Sequence, residues 1–260
     1  MARQLAAITG ASSGIGEIFA RKLANSYDLL LIARRIDRLE SLAAELRARH
    51  GSIVTVLAAD LTDESQLATV AEQLAADHTL GLLVNNAGFG TRGLFWETDL
   101  EAQQQMHQLN VLAVLRLSHA ALRNMVPRKA GAIINVASVA GFVRRAGSVS
   151  YGSTKAWVVA FTEALYLEMK RIRSPVKVQA LCPGFTYSEF HDSMKIDRMR
   201  IASRAFWLRA DFVVDESLKA LPGGRLFVIP GWRYKMVVNL ISSLPLPLRL
   251  LFESKASRAR

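Results

Sequence analysis

The sequence predicts a single α/β domain over residues 1–260, a doubly wound, mostly parallel seven-stranded sheet flanked by helices. Three observations predict it. Short apolar runs of strand length alternate with stretches of helical period along the chain, the order that a parallel sheet with crossover helices demands. A glycine-rich turn joins the first run to the first helix. The chain of 260 residues, 51% of them hydrophobic, can bury one full core.

Gln4 to Ile8 is the first strand, and it ends in Thr9 to Gly16, TGASSGIG, with Ile15, Ile18, Phe19 and Leu23 following at helical spacing. Gly10, Gly14 and Gly16 let the backbone turn tightly and approach a pyrophosphate, whose charge the next helix N-terminus meets. Ser12, Ser13 and Ile15 belong to the same turn. Gly10, Ser12 and Gly14 also satisfy G-x-S-x-G, the nucleophile elbow of α/β-hydrolases. In a hydrolase, however, that elbow follows several strands and an oxyanion loop. Here it follows the first strand and no HGGG-like segment exists, which argues against hydrolysis.

Leu29 to Ile32 is the second strand, followed by Ala33, Arg34 and Arg35 where a dinucleotide fold meets the adenosine ribose. An acid at this place bonds the ribose 2′-hydroxyl, whereas an arginine clasps a 2′-phosphate with its planar fork, so Ala33 with Arg34 points to NADP. The competing reading, two solvated arginines opening a helix, is disfavoured because cations there oppose the helix dipole. Ile36, Leu39, Leu42, Ala43 and Leu46 mark the next helix, and Ile53 to Ala58 the third strand, which leads to Asp60, Leu61 and Thr62. Asp60 is placed either to edge an adenine or to cap the helix that starts near Asp63. Leu67, Val70, Ala71 and Leu74 line that helix, and Leu82 to Val84 is the fourth strand. It runs into NNAG, where Asn86, Ala87 and Gly88 suit a close cofactor approach or a plain turn. A long helix from about Asp99 to Met125 carries Met106, Leu109, Ala113, Leu117 and Ala120 on one stripe. Asn110 sits in its middle, where propensity disfavours it, so either a local backbone bond or a role in the site compensates.

Ala132 to Val136 is the fifth strand, and Ser138 stands beyond its carboxyl end, where open α/β sheets place ligands. Tyr151 and Lys155 follow on helical sequence at i and i+4, on one face. A nearby ammonium favours tyrosinate and is expected to lower the phenol from about 10, which makes Tyr151 a useful general acid. Alone, such a pair is common on any exposed helix; its place after Ser138 and the glycine turn sets it apart. Trp157, Val158, Phe161, Leu165 and Met169 extend this helix, Val176 to Leu181 is the sixth strand, and Pro183, Gly184, Phe185 and Thr186 open the next segment. That segment, about 185–210, crowds Phe185, Tyr187, Phe190, Met194, Met199, Phe206 and Trp207 together as a lid. These side chains either line an apolar pocket for a bulky lipophilic carbonyl or pack the lid on its own core. Leu226 to Ile229 is the last strand, and a tail over about 230–260 contains Pro230, Pro245 and Pro247.

TGASSGIG, NNAG, Asn110, Ser138, Tyr151 with Lys155, and PG followed by Thr186 together resemble the short-chain dehydrogenase/reductase family, over residues 4 to about 190. The resemblance implies a Rossmann-type fold, a carbonyl/alcohol substrate and a catalytic tetrad. Within it, Tyr151 would donate the proton as nicotinamide hydride reaches a carbonyl carbon, and Ser138 would orient the carbonyl oxygen. Lys155 would bond the nicotinamide ribose and depress the Tyr151 pKa, while Asn110 would hold a water in a proton relay. It also implies an NADP site on Gly10, Ser12, Ser13, Gly14, Ile15, Gly16, Arg34, Arg35, Asp60, Leu61, Asn86, Ala87, Gly88, Tyr151, Lys155, Pro183, Gly184 and Thr186. The long tail after the last strand resembles the branch of DltE-type oxidoreductases and some hydroxysteroid and ketoacyl reductases more than the 3-ketoacyl-carrier-protein reductases. A non-catalytic NADP-binding sensor or scaffold is the alternative, but such a protein has no need of both Tyr151 and Lys155.

Composition narrows the remaining classes. One cysteine, Cys182, cannot form an intramolecular disulfide and suits a reducing cytoplasm as a buried structural thiol. No Cys/His cluster has metal-ligand spacing, so no metal is expected. Glycines interrupt the apolar N-terminus too early for a signal peptide. No stretch reaches the roughly 18 apolar residues of a membrane span, so a soluble or at most peripheral protein is expected. The net charge of +11 raises acidic membranes or nucleic acid as partners, but the basic residues are spread over the helices and no nucleic acid is expected. The steepest local excess is Lys195, Arg198, Arg200, Arg204 and Arg209. Apolar positions beyond those one face requires on the 157–169 helix point to a homodimer or homotetramer.

Overall fold

Continuous apolar runs become strands covered on both faces, and in the structure they form one all-parallel sheet in the order β3-β2-β1-β4-β5-β6-β7. The computed structural model describes residues 3–189 and 204–258. The strands are β1 Gln4–Thr9, β2 Tyr27–Ala33, β3 Val54–Ala58, β4 Leu80–Asn85, β5 Ala132–Val136, β6 Lys177–Leu181 and β7 Phe227–Val228. The last is shorter than its apolar run, because only Phe227 and Val228 pair with β6.

Strand side chains alternate between two helical layers, as the pleat requires. Leu29 and Leu31 pack with Phe19, Leu39 and Val213 from α1 (Gly14–Leu23), α2 (Ile36–His50) and α7 (Ala210–Ala220). Leu30 and Ile32 face the other layer, built on α3 (Glu64–Ala76), α5 (Val114–Arg128) and α6 (Val149–Arg171) through Leu67, Leu74, Leu117, Met125 and Met169. The chain crosses from β3 back past β1 to β4, so the strand order reverses between β1 and β4 and opens a crevice at their carboxyl ends.

The long helix expected near 99–125 is interrupted. It comprises α4 (Leu100–His107), a π-helical segment Gln108–Ala113 and then α5, which runs on to Arg128. Asp99 caps the start by accepting from Ala102 N at 2.9 Å. The wide π turn falls on Asn110, and such insertions frequently mark functional sites. The tail folds into α8 (Trp232–Ser243) and α9 (Leu246–Arg258). It returns to the body where Glu253 Oε1 accepts from Arg144 N at 2.7 Å. Phe190, Met194, Met199, Lys195, Arg198 and Arg200 lie outside the described residues. Among the described aromatics of 185–210, Trp207 is buried between Phe185, 5.5 Å away, and Tyr187, 5.1 Å away between ring centroids.

Candidate active site

The crevice holds a cavity of about 900 Å³, at the upper end of the roughly 300–1,000 Å³ typical of small-molecule sites. Of the catalytic and cofactor residues the sequence nominates, all line it except Gly16 and Asn110; of the described side chains nominated for an apolar pocket, Phe185 and Phe206 line it and Tyr187 and Trp207 do not.

Its floor at the first turn needs glycine. Gly10 and Gly14 have φ of +67° and +58°, a region that side chains rarely enter. A Cβ on Gly16 would stand 2.3 Å from Gly10 O, so Gly16 packs α1 against the turn and does not face the cavity. The turn is tied to β4 by Thr9. Its Oγ1 accepts from Asn86 N and Ala87 N, both at 3.0 Å, while Asn86 Nδ2 donates to Thr9 O at 2.9 Å. The NNAG segment is therefore a built wall, not a plain turn. Its Asn85, buried, donates to Ser118 Oγ and Asn135 Oδ1 beneath the site.

Past the end of β2, Arg35 donates to Ser12 Oγ at 2.9 Å and Ser13 Oγ at 2.9 Å. Arg34 is 75% exposed in its side chain, with Nη1 3.7 Å from Asp60 Oδ2. Asp60 does not cap α3, since Asp63 does so by accepting from Gln66 N at 2.9 Å. Asp60 instead accepts from Thr62 N and Thr62 Oγ1. Although burial works against the Asp60 carboxylate, those two bonds and Arg34 together leave its pKa lowered. Glu189 spans Arg35 and Arg38, and their hydrogen bonds hold its carboxyl down at about 2. Glycine backbone at the helix N-terminus, two hydroxyls and a guanidinium pair fit a nicotinamide dinucleotide.

Ser138 lies just past β5 and its Oγ accepts from Ala140 N at 3.1 Å. The Ser138 and Tyr151 hydroxyls are hydrogen-bonded across the cavity edge. Lys155, 5% exposed, donates from Nζ to Val136 O at 2.8 Å and stands 6.0 Å from the Tyr151 ring centroid. The expected lowering of the phenol by Lys155 is not what the structure gives. Burial pushes Tyr151 up to about 12, with the Ser138 hydrogen bond offsetting part of the rise. Burial likewise pushes Lys155 down to about 8, which the nearby Cys182 partly counters. For both groups the low dielectric of burial is the largest cause of the shift.

Asn110 resolves its two readings in a combined way. Its Nδ2 donates to Phe89 O at 2.9 Å and Thr154 Oγ1 at 3.2 Å, and its Oδ1 accepts from Phe89 N at 3.2 Å. It thus binds the chain after NNAG to the Tyr151 helix from behind the cavity wall. Cys182 is fully buried and its thiol is pushed up to about 12 by that burial, so it is not a nucleophile. Among the described residues, no group of three or more His, Cys, Asp or Glu is placed to hold a metal.

Several site residues carry no sequence signal. Tyr234 of α8 accepts from Phe185 N at 2.9 Å and donates to Phe206 O at 2.6 Å, tying these two residues to the tail. A Cβ on Gly184 would fall 2.0 Å from the Tyr234 ring, so this glycine is needed for packing as well as for the cavity. Val237, Ile241 and Phe252 of the tail also line the cavity. These partners lie 50 to 68 residues beyond Gly184 in sequence, out of reach of any local pattern.

Residues 4–198 match the short chain dehydrogenase family. Oxidoreductase UcpA of Salmonella typhimurium is 34% identical over 223 residues, 85% of this chain and 81% of that protein. Among solved structures, a short-chain dehydrogenase from Sphingobium yanoikuyae in complex with NADPH is 35% identical with a TM-score of 0.84, covering 94% of this chain and 97% of that one. The bulky-bulky ketone specific alcohol dehydrogenase from Comamonas testosteroni is 30% identical with a TM-score of 0.79, covering 94% and 95%.

Proposed function

The chain belongs to the short-chain dehydrogenase family, and on that premise we propose that it is an NADP(H)-dependent reductase of bulky lipophilic ketones or ketoacyl compounds, with Tyr151 as general acid. The observation that carries the reading is the Ser138–Tyr151 hydrogen bond at the cavity edge, with the buried Lys155 one helical turn behind. A bound nicotinamide supplies a hydride for the carbonyl carbon. Ser138 holds the carbonyl oxygen beside the Tyr151 hydroxyl, and Tyr151 gives its proton to that oxygen as negative charge develops. A phenol near 12 stays protonated at neutral pH, which keeps the donating form in place. Lys155 supplies positive charge behind Tyr151, and Asn110 fixes the helix that carries both.

Cofactor choice follows from the adenosine end, where Arg34 and Arg35 with Ser12 and Ser13 suit a 2′-phosphate and β2 ends without an acid. The NADPH complex of the Sphingobium relative supports this. Substrate class follows from the walls beside Tyr151, where Phe185, Phe206, Val143, Val237, Ile241 and Phe252 offer apolar surface. The ketone specificity of the Comamonas relative points the same way. Leu112, Leu115 and Leu167, each more than two-fifths exposed on the α4–α5 and α6 helices, suit a homo-oligomer, and the lone buried thiol suits a reducing cytoplasm. The test is a series of ketones of increasing size assayed with NADPH. Efficiency should rise with apolar size, by up to about tenfold per 1.4 kcal/mol of added transition-state binding. A flat series, or highest efficiency with a sugar or polyol, would remove the lipophilic substrate while leaving the reductase in place.

A further inference from the structure

Helix α8 is apolar on both sides. Tyr234, Val238 and Ile241 turn into the protein, whereas Trp232, Met236 and Leu240, at successive i+4 steps, form an outer ridge 62%, 61% and 56% exposed. Helix α9 adds Leu246, Leu248, Leu250, Leu251 and Phe252, each more than half exposed. An exposed apolar ridge on a helix that already buries its opposite side marks a docking face.

Charge decides what covers it. Among the described side chains of α8 and α9, Arg233, Lys235 and Arg249 stand against one acid, Glu253, with Lys235 Nζ 3.8 Å from Glu216 of α7. That acid is buried and committed to Arg144 N. In a two-fold contact between copies the same patch meets itself, so this face would bring positive against positive. An acidic bilayer meets both components, taking apolar side chains into the acyl boundary and drawing the cations to its headgroups. Trp232 with the Arg233 guanidinium 5.0 Å from its ring centroid combines an amphipathic ring with a cation, the pairing suited to headgroup depth. Among the described residues, no helix is long and apolar enough to cross a membrane, so the contact is peripheral.

We propose that α8 and α9 dock the protein flat on an anionic lipid surface. Because Val237, Ile241 and Phe252 of the same helices line the cavity, its mouth then opens beside the bilayer, from which an apolar molecule can enter without crossing water. The docking itself does not depend on the proposed reaction.

The experiment is co-sedimentation of the full chain with phosphatidylcholine vesicles, with and without about 30 mol% phosphatidylserine, at about 0.1 M and about 1 M salt. The wild type should partition at least about tenfold more strongly onto the anionic vesicles, and high salt should weaken it several-fold. Combining Trp232→Glu, Met236→Glu and Leu240→Glu should remove at least about tenfold of that partition while circular dichroism stays unchanged. Should that variant misfold, Arg233→Gln with Lys235→Gln keeps the apolar ridge and should lower both the partition and its salt dependence. Equal binding to neutral vesicles, salt-independent binding, no binding, or full binding by a folded ridge variant would each overturn the proposal. So would a wild-type dimer that ignores vesicles and that the ridge variant dissociates, which would assign the face to a second copy.

Discussion

Replacing Lys155 with Met tests whether the site is held against an electrostatic cost. The ammonium is 5% exposed, accepted by Val136 O, and burial brings it from 10.5 to about 8. Its folded pKa is therefore depressed, and between about 8 and 10.5 the unfolded chain binds more protons than the folded one, so the wild type gains stability as pH rises through that window. The full shift corresponds to about 3 kcal/mol at 1.36 kcal/mol per unit. From about pH 7 to about pH 9.5 the linkage relation gives about 2 kcal/mol of it. Lys155→Met removes the titration and leaves Val136 O without its donor, a pH-independent loss of about 1–2 kcal/mol. Urea unfolding of both proteins should thus find the variant more stable than the wild type by about 1–2 kcal/mol at pH 7, and that advantage should be gone, the two being about equally stable, at pH 9.5. Tyr151, raised to about 12, acts with the opposite sign, costing stability above pH 10, but it is present in both proteins. A stability difference that stays constant across this pH range would refute the account of a buried, strained ammonium.

Cofactor preference should respond to the end of β2. Arg34→Asp places an acid where a 2′-phosphate is proposed, and the ratio of kcat/KM for NADPH over NADH should fall by at least about tenfold; an unchanged ratio would place the phosphate elsewhere. Sedimentation at micromolar concentration should find a species heavier than the 28.6 kDa chain, and Leu112→Glu with Leu115→Glu should shift it toward monomer; a wild type that is monomeric throughout would contradict the oligomer.

Much of the architecture was legible because parallel strands buried on both faces leave continuous apolar runs, and the helices between them keep a regular stripe. The glycine turn was legible for a different reason: positive φ at Gly10 and Gly14 restricts the residue choice itself. The π insertion at Gln108–Ala113 was not, since its residues fit a plain helical stripe and the wider turn coincides with tertiary contacts of Asn110 with Phe89 and Thr154 that no local pattern reveals. The direction of the Tyr151 shift was also hidden, because spacing reveals that Lys155 is near but not that burial outweighs it. The role of the tail could not be read either. Nothing local links Tyr234 to Gly184, although the structure presses one against the other.

The most direct measurement of the central claim is Tyr151→Phe assayed with NADPH and an apolar ketone, beside NADPH binding followed by fluorescence. The ring and its packing remain while the proton donor bonded to Ser138 is lost. Turnover should fall by at least about a hundredfold, the typical contribution of a positioned general acid, with NADPH affinity changed by less than about threefold. Near-normal turnover, or a loss of turnover matched by an equal loss of NADPH affinity, would contradict Tyr151 as the proton donor.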